Sequence, residues 1–508
     1  MKKKIMAILL GSTMAAGLLA GCGSSSSSGS SSAAAADAAL GSAETTTAAA
    51  AETIEDTSAA ASTAETAATE ATQTMTSGAY TPPEEPTEPI TLTAYGPGLF
   101  TSQGEDGKLD LITGIETPGY KTIVEDWEKI HPNVSINLQA IPWDSWQSAI
   151  QTAVLGGDVD IILHGGSLTA LDEPLEPYLE ADPDFESKIY AKTYRRIDGT
   201  LDQLSITAIP YSINPVVVLL DKQIFKDYGV GLPNSSWTWD DLIKAGQKMT
   251  GTDPVTGKET YGLYTEPGGN AHFLYIYLAG SYDVTNITYG KTVKDSAIDY
   301  TNDDTLKVFE KIKEFGKALD PLVKEGTGDF SITADNNVAI RLMQGTYSHY
   351  NEINVAGLND RFTYVTLPVV EAGENTGKPY GFLGDSNMAI CNTSSHTDWA
   401  WEFIKFMVTN GAATQWVADT YNIPNSREFV KNLDSVIPAE YSDAIKGQLD
   451  SLAPDYTNAA TAYYNAANFG TLSSDIDTAV QNVWSGAQEP EEAMQELQSK
   501  VDDFMKAQ

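Results

Sequence analysis

The sequence predicts an α/β protein, an expectation that rests on three observations. A βαβαβ pattern opens at Ile90, strand-like and helical segments continue through the middle, and helices dominate from Asp398 to the end. Ile90 to Tyr95 reads as a strand, and Tyr120, Ile123, Val124 and Trp127 fall at i, i+3, i+4 and i+7 on one helical face. Val134, Ile136, Leu138 and Ala140 alternate as a second strand, a helix follows through Trp146 and Ile150, and Val159 to Leu163 forms a short apolar run. Strands that alternate with helices imply a parallel sheet covered on both faces, with ligands received at the carboxyl ends of its strands. The loops after Tyr95 and from His164 to Ser167 lie at such ends. Pro215 to Leu220 forms a second strand block. The stripes Ala400, Phe403, Ile404, Met407 and Ala493, Leu497, Val501, Phe504 read as core faces of late helices. No repeat of fixed period is visible, which disfavours solenoids and propellers.

The start of the chain carries a different message. Lys2, Lys3 and Lys4 precede an apolar run from Ile5 to Leu19 that closes on Leu19-Ala20-Gly21-Cys22. That is the three-zone form of an export signal, and the run falls short of the ~20 residues a bilayer crossing needs. A diacylglycerol thioether on Cys22 would supply two acyl chains, enough for stable anchoring at roughly 0.8 kcal/mol per buried CH₂. Residues 23–88 are Ser, Ala, Thr and Glu with no Lys or Arg, too polar to build a core. As a soft linker of about 66 residues they would span roughly 45 Å. Behind it remain about 420 of the 508 residues, a length that normally divides into two domains. Besides Cys22 there is one Cys, Cys391, so the lipidated chain would have no internal disulfide. The net charge of −38 argues against nucleic acid or an anionic membrane surface as partner.

Four stretches, in order, resemble one family. Gly157-Asp158-Val159-Asp160-Ile161-Ile162 with Leu175-Glu176-Pro177-Tyr178 is the first, with Val159 where that family usually has Pro. The second joins Ile209-Pro210-Tyr211-Ser212-Ile213-Asn214, Leu220-Asp221-Lys222-Gln223-Ile224-Phe225 and Trp237-Thr238-Trp239-Asp240-Asp241-Leu242. The third is Asp398 to Phe406 with Ile423-Pro424-Asn425-Ser426-Arg427, and the last is Gln488-Glu489-Pro490-Glu491-Glu492-Ala493-Met494. The chain thus resembles the family 1 extracellular solute-binding proteins of ABC importers, the maltose-binding-protein-like carbohydrate receptors. The resemblance implies two α/β lobes with a hinge and an interlobe ligand cleft. It places residues 89–213 plus 384–440 in the first lobe and 214–383 plus 441–508 in the second.

A sugar offers hydroxyls around a ring and apolar faces above and below it, so its site needs short polar groups and aromatic plates. Carried over position by position, the resemblance points to Tyr95, which could stack on a ring or pack under its loop, and to His164 and Ser167. Asn214 stands at the crossing, where an amide can both donate and accept. Tyr211 beside it is either a contact or hinge packing. Glu266 and Asn270 flank Pro267-Gly268-Gly269, and Tyr347 falls near a stacking position of the family. Gly384 permits close approach, and the carboxylate of Asp385 could accept two hydroxyls or cap a turn. Asn468, with Phe469 and Ser473, occupies the region of a last contact, although the usual Trp or Arg is not in register there.

The expected partners are a small-molecule sugar, ABC permease subunits in the membrane, and the membrane itself through the lipid anchor at its extracytoplasmic face. A monomer without cofactor is expected, and neither a metal site nor nucleic acid. The rival class is a surface carbohydrate-active enzyme, which would need two carboxylates across a scissile bond. No Gly-x-Ser-x-Gly elbow, His-Glu-x-x-His helix or zinc spacing stands out, and the five His form no clustered pair. A third reading keeps the fold and changes the cargo to a peptide or polyamine, or the output to a sensor.

Overall fold

In a computed structural model, residues 81–111, 113–142, 146–164, 171–197, 199–266, 270–326, 332–452 and 471–507 are described. Cys22 and the linker expected up to residue 88 therefore lie outside them, apart from the linker's last residues. The strands run in chain order from β1 (Ile90–Gly96), β2 (Lys108–Leu109), β3 (Glu116–Thr117), β4 (Val134–Ala140), β5 (Ile161–Leu163), β6 (Thr193–Arg195) and β7 (Ser205–Pro215) to β8 (Val217–Asp221). They continue with β9 (Gly251–Thr252), β10 (Glu259–Tyr264), β11 (Ile287–Thr288), β12 (Ala297–Ile298), β13 (Val338–Met343), β14 (Phe362–Val365), β15 (Leu383–Ile390) and β16 (Ile423–Pro424).

Among the described residues, a seven-stranded sheet takes the order β16-β7-β15-β5-β1-β4 with β6 also on β7, and a five-stranded sheet takes β14-β8-β13-β10-β9. The expected βαβαβ opening is present: β1 lies parallel between β4 and β5, and helices Lys121–Ile130 and Trp146–Leu155 make the crossovers. Ile123 and Trp127 of the first helix are buried, as its apolar stripe requires. The sheet as a whole is mixed where a parallel one was expected. β15 runs antiparallel to both β5 and β7, because it re-enters this sheet from the other one instead of arriving through a crossover helix.

The two sheets are joined by two strands side by side. β7 passes into β8 through Val216, whose N–H donates to the Phe382 carbonyl at 3.1 Å, and Phe382 leads into β15. Pro215 ends β7 because it has no N–H for the ladder, so the block expected from Pro215 to Leu220 is divided there. Two separate cores follow from this path. One packs Leu92, Phe100, Trp127, Ile161, Met388 and Trp401 around the seven-stranded sheet. The other packs Val218, Trp239, Leu263, Phe309, Ile340 and Trp484 around the five-stranded sheet. A third cluster, with Ile213, Val217, Tyr364, Ile423, Leu433 and Tyr441, fills the crossing.

Directions of the strands fix where a ligand can be received. β1, β5 and β7 all point their carboxyl ends toward the crossing, since β15 is antiparallel to β5 and β7. In the other sheet β10 and β13 are parallel, and Met343 at the end of β13 pairs with Val217 at the start of β8. The carboxyl ends of both sets of strands therefore meet from opposite sides of residue 216.

Candidate functional site

On the first side, Gly96 ends β1 at φ +145°, and a Cβ there would lie 2.3 Å from the Leu163 carbonyl oxygen, so only glycine lets β1 and β5 close up. Tyr95, just before it, is half-buried and packs with Trp146, Ile150 and Ile162. His164 follows β5 in the left-handed region, at φ 57°, where a non-glycine residue costs of order 1 kcal/mol. Its N–H donates to the Asn387 carbonyl at 2.8 Å, and its ring meets Trp146 edge-on at 5.3 Å. Tyr95, Trp146 and His164 thus form an aromatic group at the end of β1 and β5. Tyr211 is turned the other way, into the core against Phe100, with its hydroxyl accepting the Leu99 N–H at 3.2 Å.

Asn214 stands on β7 opposite Gly384 of β15. Its amide donates to Asn422 Oδ1 at 3.1 Å and to Ser212 Oγ at 3.3 Å, while its own Oδ1 is buried without a hydrogen-bond partner. A buried acceptor left open costs about 1–3 kcal/mol, so it is a group waiting for a donor.

From the second side come Glu266, two residues past β10, and Gln344, directly after β13. Glu266 is buried, and burial pushes its carboxyl up to about 7 against hydrogen bonds from the backbone and side chain of Gln344 that favour ionisation. The Gln344 Nε2 donates to Glu266 Oε2 over 3.4 Å. The other end of that amide faces the first side: a Cβ on Gly384 would lie 2.5 Å from Gln344 Oε1 and 3.4 Å from the Asn214 carbonyl. Glu266, Gln344, Gly384 and Asn214 accordingly form one polar row through the crossing.

A second contact closes the same gap. Tyr347, in the first turn of helix Thr346–Val355, meets Tyr421 edge-to-face at 5.7 Å, and Asn351 of that helix hydrogen-bonds Tyr421. Burial raises the hydroxyls of both tyrosines, and the charge of Asp419 adds to it for each. Tyr421 is itself left-handed, at φ 56°.

Of the residues expected from sequence, the structure brings Asn214, Gly384, Glu266 and Tyr347 to this row and gap, and Tyr95 and His164 to the ends of β1 and β5. Asn270 is exposed on the turn before helix His272–Ser281. Ser167, Asn468, Phe469 and the side chain of Asp385 lie outside what is described, and Ser473 lies in the first turn of helix Thr471–Ser485. Gln344, Asn351, Trp146, Tyr421 and Asn422 were not singled out. The signal for two of them was the polar-aromatic-polar run Thr420-Tyr421-Asn422 directly ahead of Ile423-Pro424. Among the described residues no cluster of His, Cys, Asp and Glu could hold a metal, and no helix is long and apolar enough to cross a membrane.

Two half-sheets presenting polar and aromatic groups to a common gap suit the capture of a small polar solute. The family model for bacterial extracellular solute-binding proteins matches residues 113–414. The chain belongs to that family. Among relatives of this solute-binding protein, an arabinooligosaccharide-binding protein of Bacillus subtilis is 23% identical over 338 residues, 62% of this chain and 73% of the relative. The sugar-binding protein MalE of Xanthomonas citri has a similar structure, with TM-score 0.63 and 15% identity over 82% of this chain and 98% of its own. An Agrobacterium radiobacter solute-binding protein in complex with ribitol gives TM-score 0.60 and 14% identity over 82% of this chain and 100% of that one. These likenesses establish the two-lobe fold expected from the sequence.

Proposed function

We propose that this chain is a receptor that captures a sugar or oligosaccharide between its two lobes and delivers it to an ABC importer. The observation that carries this reading is the row Glu266, Gln344, Gly384 and Asn214, in which the buried, open Oδ1 of Asn214 faces a buried carboxyl held by Gln344 across a bare glycine. Hydroxyls of a sugar are such donors, and Tyr347, Tyr421, Tyr95, Trp146 and His164 supply ring faces and edges for its apolar sides. The named ligands of the relatives, arabinooligosaccharide and ribitol among them, support the same class. Of the residues named from sequence, Asn214, Glu266, Tyr347 and Gly384 are proposed as contacts, together with Gln344 and Tyr421. We take the hinge to lie at 216 and 382, close to the boundaries at 214 and 384 read from the sequence.

The finer parts of the reading are proposals as well. Cys22 carries the lipid, the linker up to residue 88 tethers a monomeric receptor at the extracytoplasmic face, and the protein turns nothing over. Full-length chain is incubated for a long period with a panel of mono- and oligosaccharides while melting temperature and products are followed. A melting shift without product is expected, about 2.7 kcal/mol of stabilisation at a hundredfold excess over Kd. Hydrolysis of any panel member would instead establish the carbohydrate-active enzyme, and no shift with any sugar would reject sugar capture. Intact-mass analysis of the chain and of Cys22→Ser reads the anchor separately.

A further inference from the structure

The two lobes touch at a place well away from the crossing. The segment between β6 and β7 leaves the seven-stranded sheet and buries Leu201 completely in the core of the five-stranded sheet. There the Leu201 N–H donates to the Lys291 carbonyl at 3.0 Å, in the turn between β11 and β12. Arg196 completes the contact: its guanidinium lies 4.0 Å from the centre of the Tyr289 ring and donates to the Leu201 carbonyl at 2.5 Å. The hairpin receiving it belongs to the second lobe, since Ile287, Val293, Ile298 and Tyr300 are members of the same core.

β7 runs from Ser205 to Pro215, so the segment begins roughly 30 Å along the strand from the crossing, at ~3.3 Å per residue. A rotation of about 15° moves a point at that distance from a pivot by roughly 8 Å, more than a hydrogen bond or a ring contact can follow. The contact is therefore made in one relative pose of the lobes and lost when they rotate apart, whereas the strands at residue 216 persist in both.

We propose that Arg196, Ile197 and residues 199–203 form a strap whose docking on the turn 289–293 holds the lobes in the relative pose of this structure, making Leu201 and Arg196 affinity-determining residues outside the cleft. The part about affinity rests on the capture reading above; the strap itself does not. Its energetic source is plain. Leu201 is in the second lobe's core only while the strap is docked, and the cation over the Tyr289 ring is satisfied only there.

The test uses the full chain without ligand. Spin labels on encoded non-natural side chains at the exposed positions Gln151 and Lys307, one in each lobe, report the interlobe distance distribution. The parent is expected to show one dominant distance, and Leu201→Ser to raise the ratio of a second, distinct distance population to it about tenfold, the scale of removing a buried aliphatic contact. Tyr289→Leu keeps an apolar side chain in the second lobe and deletes the ring under Arg196; it is expected to shift the ratio in the same direction by about threefold, and it carries the test if Leu201→Ser fails to fold. Distributions unchanged from the parent in both variants, or in Tyr289→Leu alone where the other does not fold, would overturn the strap. Because no sugar is present, that failure leaves the capture reading standing, and a chain that binds no sugar leaves the strap standing.

Discussion

The two ends of the five-stranded sheet each bury a carboxylate, and they treat it in opposite ways. At the end remote from the crossing, Asp221 is fully buried and fully engaged. Its Oδ1 accepts the N–H groups of Gln223 and Ile224, capping helix Lys222–Asp227, and its Oδ2 accepts from Asn336 Nδ2 and Arg361 Nε at 2.8 Å each. At the crossing end Glu266 is nearly as buried, yet Gln344 supplies the hydrogen bonds that favour its ionised form, and no ion pair reaches it among the described residues. A buried charge held by a guanidinium and a helix N-terminus is a structural joint. A buried carboxyl held by a neutral amide alone keeps its proton more readily than one paired with a guanidinium.

The comparison breaks first at Asp221. Asp221→Ala leaves Arg361 without its carboxylate and removes the helix cap, so a stability loss of about 3–5 kcal/mol is expected by chemical denaturation. Ligand affinity of the fraction that remains folded should not change. Affinity falling with stability would make the two ends of the sheet energetically one.

Glu266→Gln comes next and has a sign of its own. The folded-state value near 7 lies above the ordinary 4.5, so between those values the folded chain holds a proton that the unfolded chain has released. The folded state is thus relatively most stable below pH 4.5, and loses about 3 kcal/mol from this group as pH rises through 7. The Gln variant has nothing to lose. Its stability relative to the parent should climb between pH 4.5 and 7 and level off above, and a flat difference would show that Glu266 titrates as an ordinary surface acid.

These contrasts also explain what could be seen before the fold was known. β1, β4 and the helix Lys121–Ile130 between them were legible because one buried face imposes its period on each segment. Asp221 could be placed in a family motif but not given a role, since its partners Asn336 and Arg361 come from distant segments. The direction of β15 was not legible for a related reason: a strand's composition does not say whether the chain enters it from a crossover or from another sheet. The resemblance pointed to Asn214 and Gly384, which the structure pairs on β7 and β15. Gln344 and Tyr421 drew no notice in the sequence because their contacts are with distant segments, Gln344 with Gly384 and Tyr421 with Tyr347.

The row at the crossing gives a smaller, more local test. In Gly384→Ala the added Cβ would fall 2.5 Å from Gln344 Oε1, so the amide must swing away and give up its hold on Glu266. Affinity measured by calorimetry should drop about tenfold with little change in ligand-free stability. Gln344→Ala in the same chain removes the obstacle, and the two changes together should cost less than their sum. Strict additivity would mean that Gln344 and Gly384 do not share a task.

The finest version of the comparison uses one residue type twice. Asn425, buried in the crossing, has its Oδ1 taken by the Tyr190 and Ala191 N–H groups at 2.9 and 2.8 Å and its Nδ2 by the Ala191 and Pro210 carbonyls at 2.8 Å. Asn214 spends only its Nδ2 and keeps a buried Oδ1 open. Asn425→Ala orphans several main-chain groups and is expected to lower the ligand-free melting point. Asn214→Ala loses the two bonds its Nδ2 donates but also removes a buried acceptor that has no partner, so it should lower that melting point less than Asn425→Ala does while weakening sugar binding about fivefold, the worth of roughly one hydrogen bond. Should Asn214→Ala instead melt early and bind as before, its amide is a strut between Ser212 and Asn422, and the acceptor that faces the ligand must be sought at Glu266 alone.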